Sequence, residues 1–159
     1  MQYNNIAFIG FGLIAGSIAK AIKKYLPSFK IYAYTNNSPE LLKGKSEGVI
    51  DIILEHIDST LLECDIVFLC TPVEFNDKYL EEIVPFIRKD TIITDVGSTK
   101  SSIHKLAKEL ELEDVFIGGH PMAGSEKSGY EASDPLLLEN AYYMLTPASG
   151  ISDEKLQAI

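Results

Sequence analysis

The sequence predicts an α/β protein with a doubly wound, mostly parallel sheet. Short apolar runs typical of strands alternate with helical patterns along almost the whole chain, and short segments connect them. The first apolar run leads into a glycine-rich turn that opens a helix, the arrangement of a Rossmann-type domain. The chain of 159 residues, with 46% hydrophobic residues, has the length and composition of one globular domain.

The strands are predicted from short runs rich in apolar and β-branched residues. The continuous apolar run at Asp65–Cys70 is typical of a strand that is covered on both faces of a parallel sheet. The other predicted strands are Ile6–Gly10, Lys30–Tyr34, Thr91–Val96, Val115–Gly118 and Tyr142–Leu145.

The helices are predicted from apolar residues that recur every three to four positions. Leu13–Tyr25 has this period with lysines on the opposite face, and Pro27 ends the helix. Ser38–Glu40 supplies the N-cap, proline and acidic residue of a helix start, and this helix is predicted to end near Glu47. The remaining helical segments are Phe75–Ile87, Ser101–Leu110 and a helix start at Ser152–Glu154.

The charge balance argues against a nucleic-acid partner. The chain has 14 Lys and Arg residues against 23 Asp and Glu residues, a formal charge of −9, whereas nucleic acids require clustered positive charge. No Lys or Arg precedes the apolar segment Ile6–Gly16, which is too short to span a membrane, so we expect no export signal and no membrane partner. Cys64 and Cys70 form no CxxC motif and suit a reducing cytoplasm. No spacing of Cys, His and acidic residues indicates a metal site.

The glycine-rich turn predicts a dinucleotide cofactor, NAD or NADP. Gly10 permits a tight turn, Gly12 lets the backbone approach a pyrophosphate, and the small Ala15 lets the helix pack close to the strand. The N-terminus of the following helix favours the bound phosphates. The residues predicted to bind the cofactor are Gly10, Gly12, Leu13, Ile14, Ala15, Thr35, Asn36, Thr71 and Pro72.

The end of the second predicted strand leaves the choice between NAD and NADP open. Thr35 stands where a carboxylate would bind the ribose of NAD, and Asn36 follows it. No arginine is present there to bind the 2′-phosphate of NADP, and the nearest cation, Lys43, lies a helical turn away.

Two polar residues follow later strands at the edge of the sheet where ligands bind. Ser98 has the type and position of a helix N-cap, a role that is compatible with facing the ligand. His120 is held in an extended conformation by Pro121 and is followed by a glycine-rich loop. Because the ordinary pKa of histidine suits a general base, we predict that His120 is catalytic.

The segments GFGLIAGS, DVGSTK and GGHPMAGSEKSG resemble, in this order and spacing, the prephenate/arogenate dehydrogenase family of tyrosine biosynthesis. The resemblance covers essentially the whole chain, and GGHPMAGSE with DxGSxK upstream is its specific part. It implies NAD(P)-dependent oxidative decarboxylation of prephenate to 4-hydroxyphenylpyruvate, or of arogenate. It also implies that His120 accepts the proton of the ring hydroxyl, that Ser98 hydrogen-bonds His120 or that hydroxyl, and that Glu126 contacts the substrate or gates the site.

The resemblance also carries an expectation about domains. Family members continue into an all-helical domain that forms the homodimer and supplies an arginine for the substrate carboxylates. We therefore expect residues 1–150 to form the NAD(P)-binding domain and residues 151–159 to begin a truncated helix that leads to the absent domain. The isolated chain is expected to bind dinucleotide but to turn over substrate poorly.

Two other functions stay open on the sequence alone. Another dehydrogenase of the β-hydroxyacid or imine type would account for the glycine-rich turn but not for GGHPMAGSE. A dinucleotide-binding sensor without catalytic activity would fit a chain that lacks the second domain.

Overall fold

A computed structural model describes residues 3–159, in which seven strands form one sheet with the order β3-β2-β1-β4-β5-β6-β7. Six strands run parallel, and the edge strand β7 pairs antiparallel to β6. This architecture confirms the predicted fold class. The strands are β1 (Asn5–Ile9), β2 (Lys30–Tyr34), β3 (Ile52–Ile53), β4 (Ile66–Leu69), β5 (Ile92–Asp95), β6 (Phe116–Pro121) and β7 (Tyr143–Pro147).

Helices cover both faces of the sheet because alternate strand residues face opposite sides. In β1, Ile6 and Phe8 pack in the cluster that contains the first two helices, whereas Ala7 and Ile9 pack in the cluster of the third and fourth. The α-helices are α1 (Leu13–Tyr25), α2 (Ser38–Ser46), α3 (Val73–Ile83), α4 (Ser101–Glu109) and α5 (Asp153–Ala158). Short 3-10 helices occupy Ser59–Glu63, Val84–Phe86 and Tyr130–Ala132.

The strand order reverses beside β1, and this reversal positions the site. β1 pairs with β2 on one side and with β4 on the other, so the connections that leave their carboxyl ends diverge to opposite faces of the sheet. The Gly10 N–H donates to the Tyr34 carbonyl at 2.7 Å, and the Cys70 N–H donates to the Ile9 carbonyl at 2.7 Å. The crevice between the diverging connections is where open α/β sheets bind their ligands.

Several predicted boundaries were wrong for reasons of tertiary pairing. The β3 strand was not predicted because it consists of two residues, which pair with Tyr32 and Ala33 of β2. The strand predicted to end at Gly118 continues to Pro121 because β7 pairs along it. The helix predicted over Phe75–Ile87 begins at Val73, and its last turn is a separate 3-10 helix.

The C-terminal helix packs on the same domain. The predicted start is confirmed, since the Ser152 hydroxyl accepts the Lys155 N–H at 3.3 Å. Lys155 is buried, and its Nζ donates to the carbonyl oxygens of Lys89 and Asp114 at 2.7 and 2.9 Å. Burial lowers the pKa of Lys155. None of the helices within residues 3–159 has the length and hydrophobicity that crossing a bilayer requires.

Candidate active site

A cleft of about 530 Å³ lies at the carboxyl ends of β1, β4 and β5. We call it the dinucleotide cleft because of the residues that line it. Eight residues that the sequence analysis singled out meet here: Gly10, Gly12, Leu13, Ile14, Thr35, Thr71, Pro72 and Ser98. The volume is within the range of small-molecule sites.

The glycine-rich turn shapes one wall of the cleft. Gly10 has a φ of +90°, and a Cβ placed on it would lie 2.8 Å from the carbonyl carbon and oxygen of Cys70. At Gly12 a Cβ would meet no atom within 4 Å, so the space beside its backbone is open. The Gly16 N–H donates to the Gly12 carbonyl at 2.9 Å, which begins α1 here and leaves the earlier N–H groups of the first turn without helical acceptors. This end of α1 therefore suits a phosphate group.

Two of the predicted cofactor residues lie just outside the cleft. Ala15 is 1% exposed and packs in the core, where its small size lets α1 lie close to β1. Asn36 lines a neighbouring cavity of about 270 Å³, which Thr35, Thr71 and Pro72 also line. The Asn36 amide donates to the Tyr79 hydroxyl at 3.2 Å and accepts from the Tyr34 hydroxyl at 3.1 Å. The second cavity therefore extends the cleft beyond the end of β2.

A buried carboxylate organises the ends of β5 and β6. Asp95 is fully buried, and its two oxygens accept the N–H groups of Gly97 at 2.9 Å and Gly119 at 3.2 Å. The Lys100 ammonium forms an ion pair with the same carboxylate and donates to the Gly97 carbonyl at 2.7 Å. Ser98 follows Gly97 and His120 follows Gly119, so both predicted catalytic residues are attached to backbone that Asp95 holds.

The predicted capping role of Ser98 is wrong. Helix α4 begins at Ser101, and its N-cap is Lys100, which makes no side-chain cap hydrogen bond. The Lys100 side chain instead binds Asp95, which sets the helix start three residues after Ser98. Ser98 is exposed and lines the cleft.

His120 and Glu126 lie outside the lining of the dinucleotide cleft. His120 is half-buried in β6, opposite Met144 of β7. Its extended conformation before Pro121 is confirmed by this strand pairing. Glu126 is exposed on the loop that follows β6. The structure therefore places Ser98 in the lining of the cleft but not His120, which lies on the neighbouring strand β6.

Tyr143 and Cys70 lie close to Asp95, and Cys70 also lines the dinucleotide cleft. The Tyr143 hydroxyl is buried, and no hydrogen-bond partner lies within reach among the described residues. Its pKa is raised by burial and by the nearby Cys70 and Asp95. Burial also raises the pKa of the Cys70 thiol, with a contribution from Asp95. Cys64 and Cys70 are both free, as expected.

The loop that follows β6 crosses back over the cleft and is fastened by Tyr130. The Tyr130 ring is fully buried and stacks on Phe11 at a centroid distance of 5.2 Å. Its N–H donates to Glu40 at 3.0 Å, and its hydroxyl donates to Glu47 at 2.7 Å. Burial, together with the Glu47 hydrogen bond, raises the pKa of the Tyr130 hydroxyl. These contacts place residues 127–129 on the rim of the dinucleotide cleft.

Comparison with known proteins identifies the family. A family model described as "Prephenate dehydrogenase, nucleotide-binding domain" matches residues 18–159. The chain belongs to the prephenate dehydrogenase family. It is 44% identical over 157 residues to a prephenate dehydrogenase of Lactococcus lactis subsp. cremoris, covering 97% of this chain and 44% of the relative. The chain therefore spans less than half the length of this relative.

Two solved structures of the family superpose on the whole domain. A crystal structure of prephenate dehydrogenase from A. aeolicus in complex with hydroxyphenyl propionate and NAD+ has a TM-score of 0.90 and 30% identity. The match covers 99% of this chain and 55% of that one. Synechocystis arogenate dehydrogenase has a TM-score of 0.88 and 30% identity, with 97% of this chain and 54% of that chain covered.

Several residues that line the cleft were not predicted from the sequence. Lys127, Ser128 and Gly129 line the cleft although the sequence showed them only as part of a loop. Glu40 also lines the cleft. It was not predicted because an acidic residue in the first turn of a helix is commonly explained by its interaction with the helix dipole. Asp95 is the last residue of β5, and the spacing DxGxxK was the sequence signal that could have indicated its hydrogen-bond donors at Gly97 and Lys100. Within the described residues, no group of three or more His, Cys, Asp or Glu side chains could hold a metal ion.

Proposed function

We propose that the chain binds NAD or NADP in the dinucleotide cleft. The single observation that carries this proposal is the open space beside Gly12, at the N-terminus of α1 and at the switch point of the sheet. The residues present fit the group, because Gly12 would admit a pyrophosphate and the free N–H groups of α1 would bind it. Thr35, Thr71 and Pro72 would flank the adenosine and nicotinamide ends. The NAD+ complex of the A. aeolicus relative supports the same assignment.

We further propose that the site serves the oxidative decarboxylation of prephenate to 4-hydroxyphenylpyruvate. The dinucleotide, when bound, supplies the acceptor for the hydride that leaves the ring. His120 accepts the proton of the ring hydroxyl as general base, and Ser98 hydrogen-bonds that hydroxyl or His120. Because loss of carbon dioxide makes the ring aromatic, the residues of the chain have mainly to orient the substrate and accept a proton.

Asp95 supports both groups in this scheme. It holds the N–H of the residue before Ser98 and the N–H of the residue before His120. Such preorganisation matters because a displacement of about 1 Å at a reacting group costs roughly 100-fold in rate. Glu126, exposed on the loop after β6, would contact the substrate or gate its entry.

Arogenate is the second candidate substrate. The structural match to Synechocystis arogenate dehydrogenase, with a TM-score of 0.88, is nearly as close as that to the prephenate enzyme. The two substrates are distinguished by comparing their rates in the same preparation.

The test of catalysis uses a chimera in which this chain replaces the matched segment of the Lactococcus lactis prephenate dehydrogenase, with which it shares 44% identity. We expect the chimera to reduce NAD+ when prephenate is added. Replacement of His120 by Asn should lower kcat by roughly 10²–10⁴-fold, the contribution of general-base catalysis, while dinucleotide affinity is kept. His56→Asn is the matched control, because His56 is exposed and follows β3, which lies at the opposite edge of the sheet from β6 and β7. An unchanged kcat in the His120 variant would refute its role.

We also infer that the region which the relatives have in addition to the matched segment carries the homodimer interface. The support is the coverage of 44% of the Lactococcus lactis relative, together with the complete sheet formed by residues 3–159. Residues 1–150 would then be the NAD(P)-binding domain and residues 151–159 the link to the dimer domain. Light scattering should show a monomer for this chain and a dimer for the chimera.

A cytoplasmic location is proposed because both cysteines are free thiols.

A further inference from the structure

Glu40 is a carboxylate on the wall of the dinucleotide cleft, close to the end of β2. It lies in the first turn of α2 and is the one acidic residue among the described residues that line the cleft. One of its oxygens accepts the Tyr130 N–H at 3.0 Å, and a Cβ placed on Gly129 would lie 3.1 Å from the same oxygen. The carboxylate is therefore held against the cleft by the loop that crosses it.

Two lysines of the neighbouring helices, Lys20 of α1 and Lys43 of α2, are engaged with other acids. Lys43 donates to Glu131 at 2.6 Å, and Lys20 lies 3.7 Å from Glu47. Lys43 therefore has an acidic partner of its own, and Glu40 contributes the negative charge that faces the cleft, whereas Lys127 of the loop after β6 contributes a positive one. On the other side of the neighbouring cavity, Lys78 of α3 is exposed and lies 5.4 Å from the centre of the Tyr79 ring.

Resting on the proposed dinucleotide binding, we propose that Glu40 makes the cleft select NAD over NADP. Enzymes of this fold commonly place an acid near the ribose of NAD and an arginine near the 2′-phosphate of NADP. Glu40 comes 30 positions after Gly10, beyond the usual position of that acid, and α2 returns it to the cleft. After accepting one N–H group, a carboxylate can still accept a hydrogen bond from a ribose hydroxyl. The same carboxylate repels a phosphate group.

The test is calorimetric titration of NAD+ and NADP+ into the wild-type chain and into Glu40→Gln. Glutamine keeps an oxygen that can accept the Tyr130 N–H, so the variant removes the charge and retains the loop contact. We expect the wild type to bind NAD+ at least about 10-fold more tightly, and the variant to reduce that ratio by about 10-fold through tighter NADP+ binding. Glu109→Gln is the matched control, since this exposed residue pairs with Lys105 on α4 away from the cleft.

A second measurement keeps the inference testable if the variant folds poorly. In the wild type, the preference for NAD+ should shrink as salt rises from about 0.05 M to 0.5 M, because ions screen the repulsion. If Lys78 held the 2′-phosphate, the wild type would instead bind NADP+ as tightly as NAD+ or more tightly. That result would overturn the role of Glu40 but not the proposed dinucleotide binding. A folded Glu40→Gln variant with an unchanged ratio would do the same. Binding of neither dinucleotide would refute the proposed function, and this inference with it.

Discussion

The two glycines at the start of the dinucleotide cleft should respond in opposite ways to the same change. In Gly10→Ala the added Cβ would lie 2.8 Å from backbone atoms of Cys70 and Thr71, at a residue whose φ is +90°. In Gly12→Ala the Cβ would meet no atom within 4 Å, and the φ of −99° lies outside the left-handed region that favours glycine. The first glycine is therefore required by the fold, and the second by the ligand.

The expected sizes follow from these contacts. Backbone strain at Gly10 costs about 1–3 kcal/mol, and overpacking against a neighbouring backbone costs about 1–3 kcal/mol more. The free energy of unfolding of Gly10→Ala should therefore fall by about 2–6 kcal/mol, a large part of the stability of an ordinary domain. Gly12→Ala should be neutral or gain up to about 1 kcal/mol, because alanine reduces the entropy of the unfolded chain. Its Cβ would occupy the path of the pyrophosphate, so NAD+ affinity should fall by at least about 10-fold.

Urea unfolding followed by far-UV circular dichroism measures the stability, and calorimetry measures the affinity. With a slope of about 2 kcal/mol per molar urea, Gly10→Ala should lower the midpoint by about 1–3 M. NADH fluorescence can report binding in a separate titration, because NADH is excited at wavelengths that the Tyr and Phe residues of this chain do not absorb. A Gly10→Ala variant as stable as the wild type would refute the close-approach argument. A Gly12→Ala variant that binds NAD+ normally would refute the placement of the pyrophosphate.

Three further predictions concern charge and ionisation. Lys127→Met should weaken NAD+ binding by up to about 5-fold, the usual range for an exposed charge, and should reduce its salt dependence in the same titration. Burial raises the pKa of Cys64 to about 12 and also raises the pKa of Cys70. Ellman's reagent at pH 8 should therefore react slowly with the native chain, and it should react rapidly with both thiols once the chain is unfolded. Burial is the largest single influence on Asp51 and opposes its ionisation, but the hydrogen bonds from Lys23 and the Ile31 N–H, together with the charges of Lys23 and Lys45, outweigh it and lower the pKa of Asp51. The stability that this pair contributes should be present above the ordinary pKa of 3.8 and should be lost as the pH falls below it. In Asp51→Asn, the free energy of unfolding should therefore depend less on pH in this acidic range.

The parts of the fold that follow from local sequence were predictable. The bounds predicted for α1 and β2 are those observed, because periodicity, lysine placement and a proline act within a few residues of one another. The extension of β6 to Pro121 depends on β7, more than twenty residues later in the chain, so no local pattern indicated it. The two-residue strand β3 is defined by its pairing with β2 alone.

The same distinction applies to the candidate site. The glycine-rich turn is a local motif, and four predicted residues from other strand ends, Thr35, Thr71, Pro72 and Ser98, meet it in the cleft because strand ends share one edge of a parallel sheet. Glu40 and Lys127 reach the cleft by a different route, since the loop after β6 folds back and its Tyr130 docks between α1 and α2. That docking joins residues about 90 positions apart in the chain, which spacing within one motif does not reveal.

The buried Asp95 gives a physical reason for the spacing of the DVGSTK segment. A carboxylate removed from water is tolerated when it is paired and its remaining lone pairs accept hydrogen bonds. Lys100 supplies the pairing charge, and the N–H groups of Gly97 and Gly119 supply the hydrogen bonds. Because one donor belongs to the turn after β5 and another to β6, satisfying this single charge fixes the two strand ends relative to each other. Ser98 and His120 each follow one of those donors, so the cage that stabilises Asp95 also sets the geometry of the proposed catalytic pair.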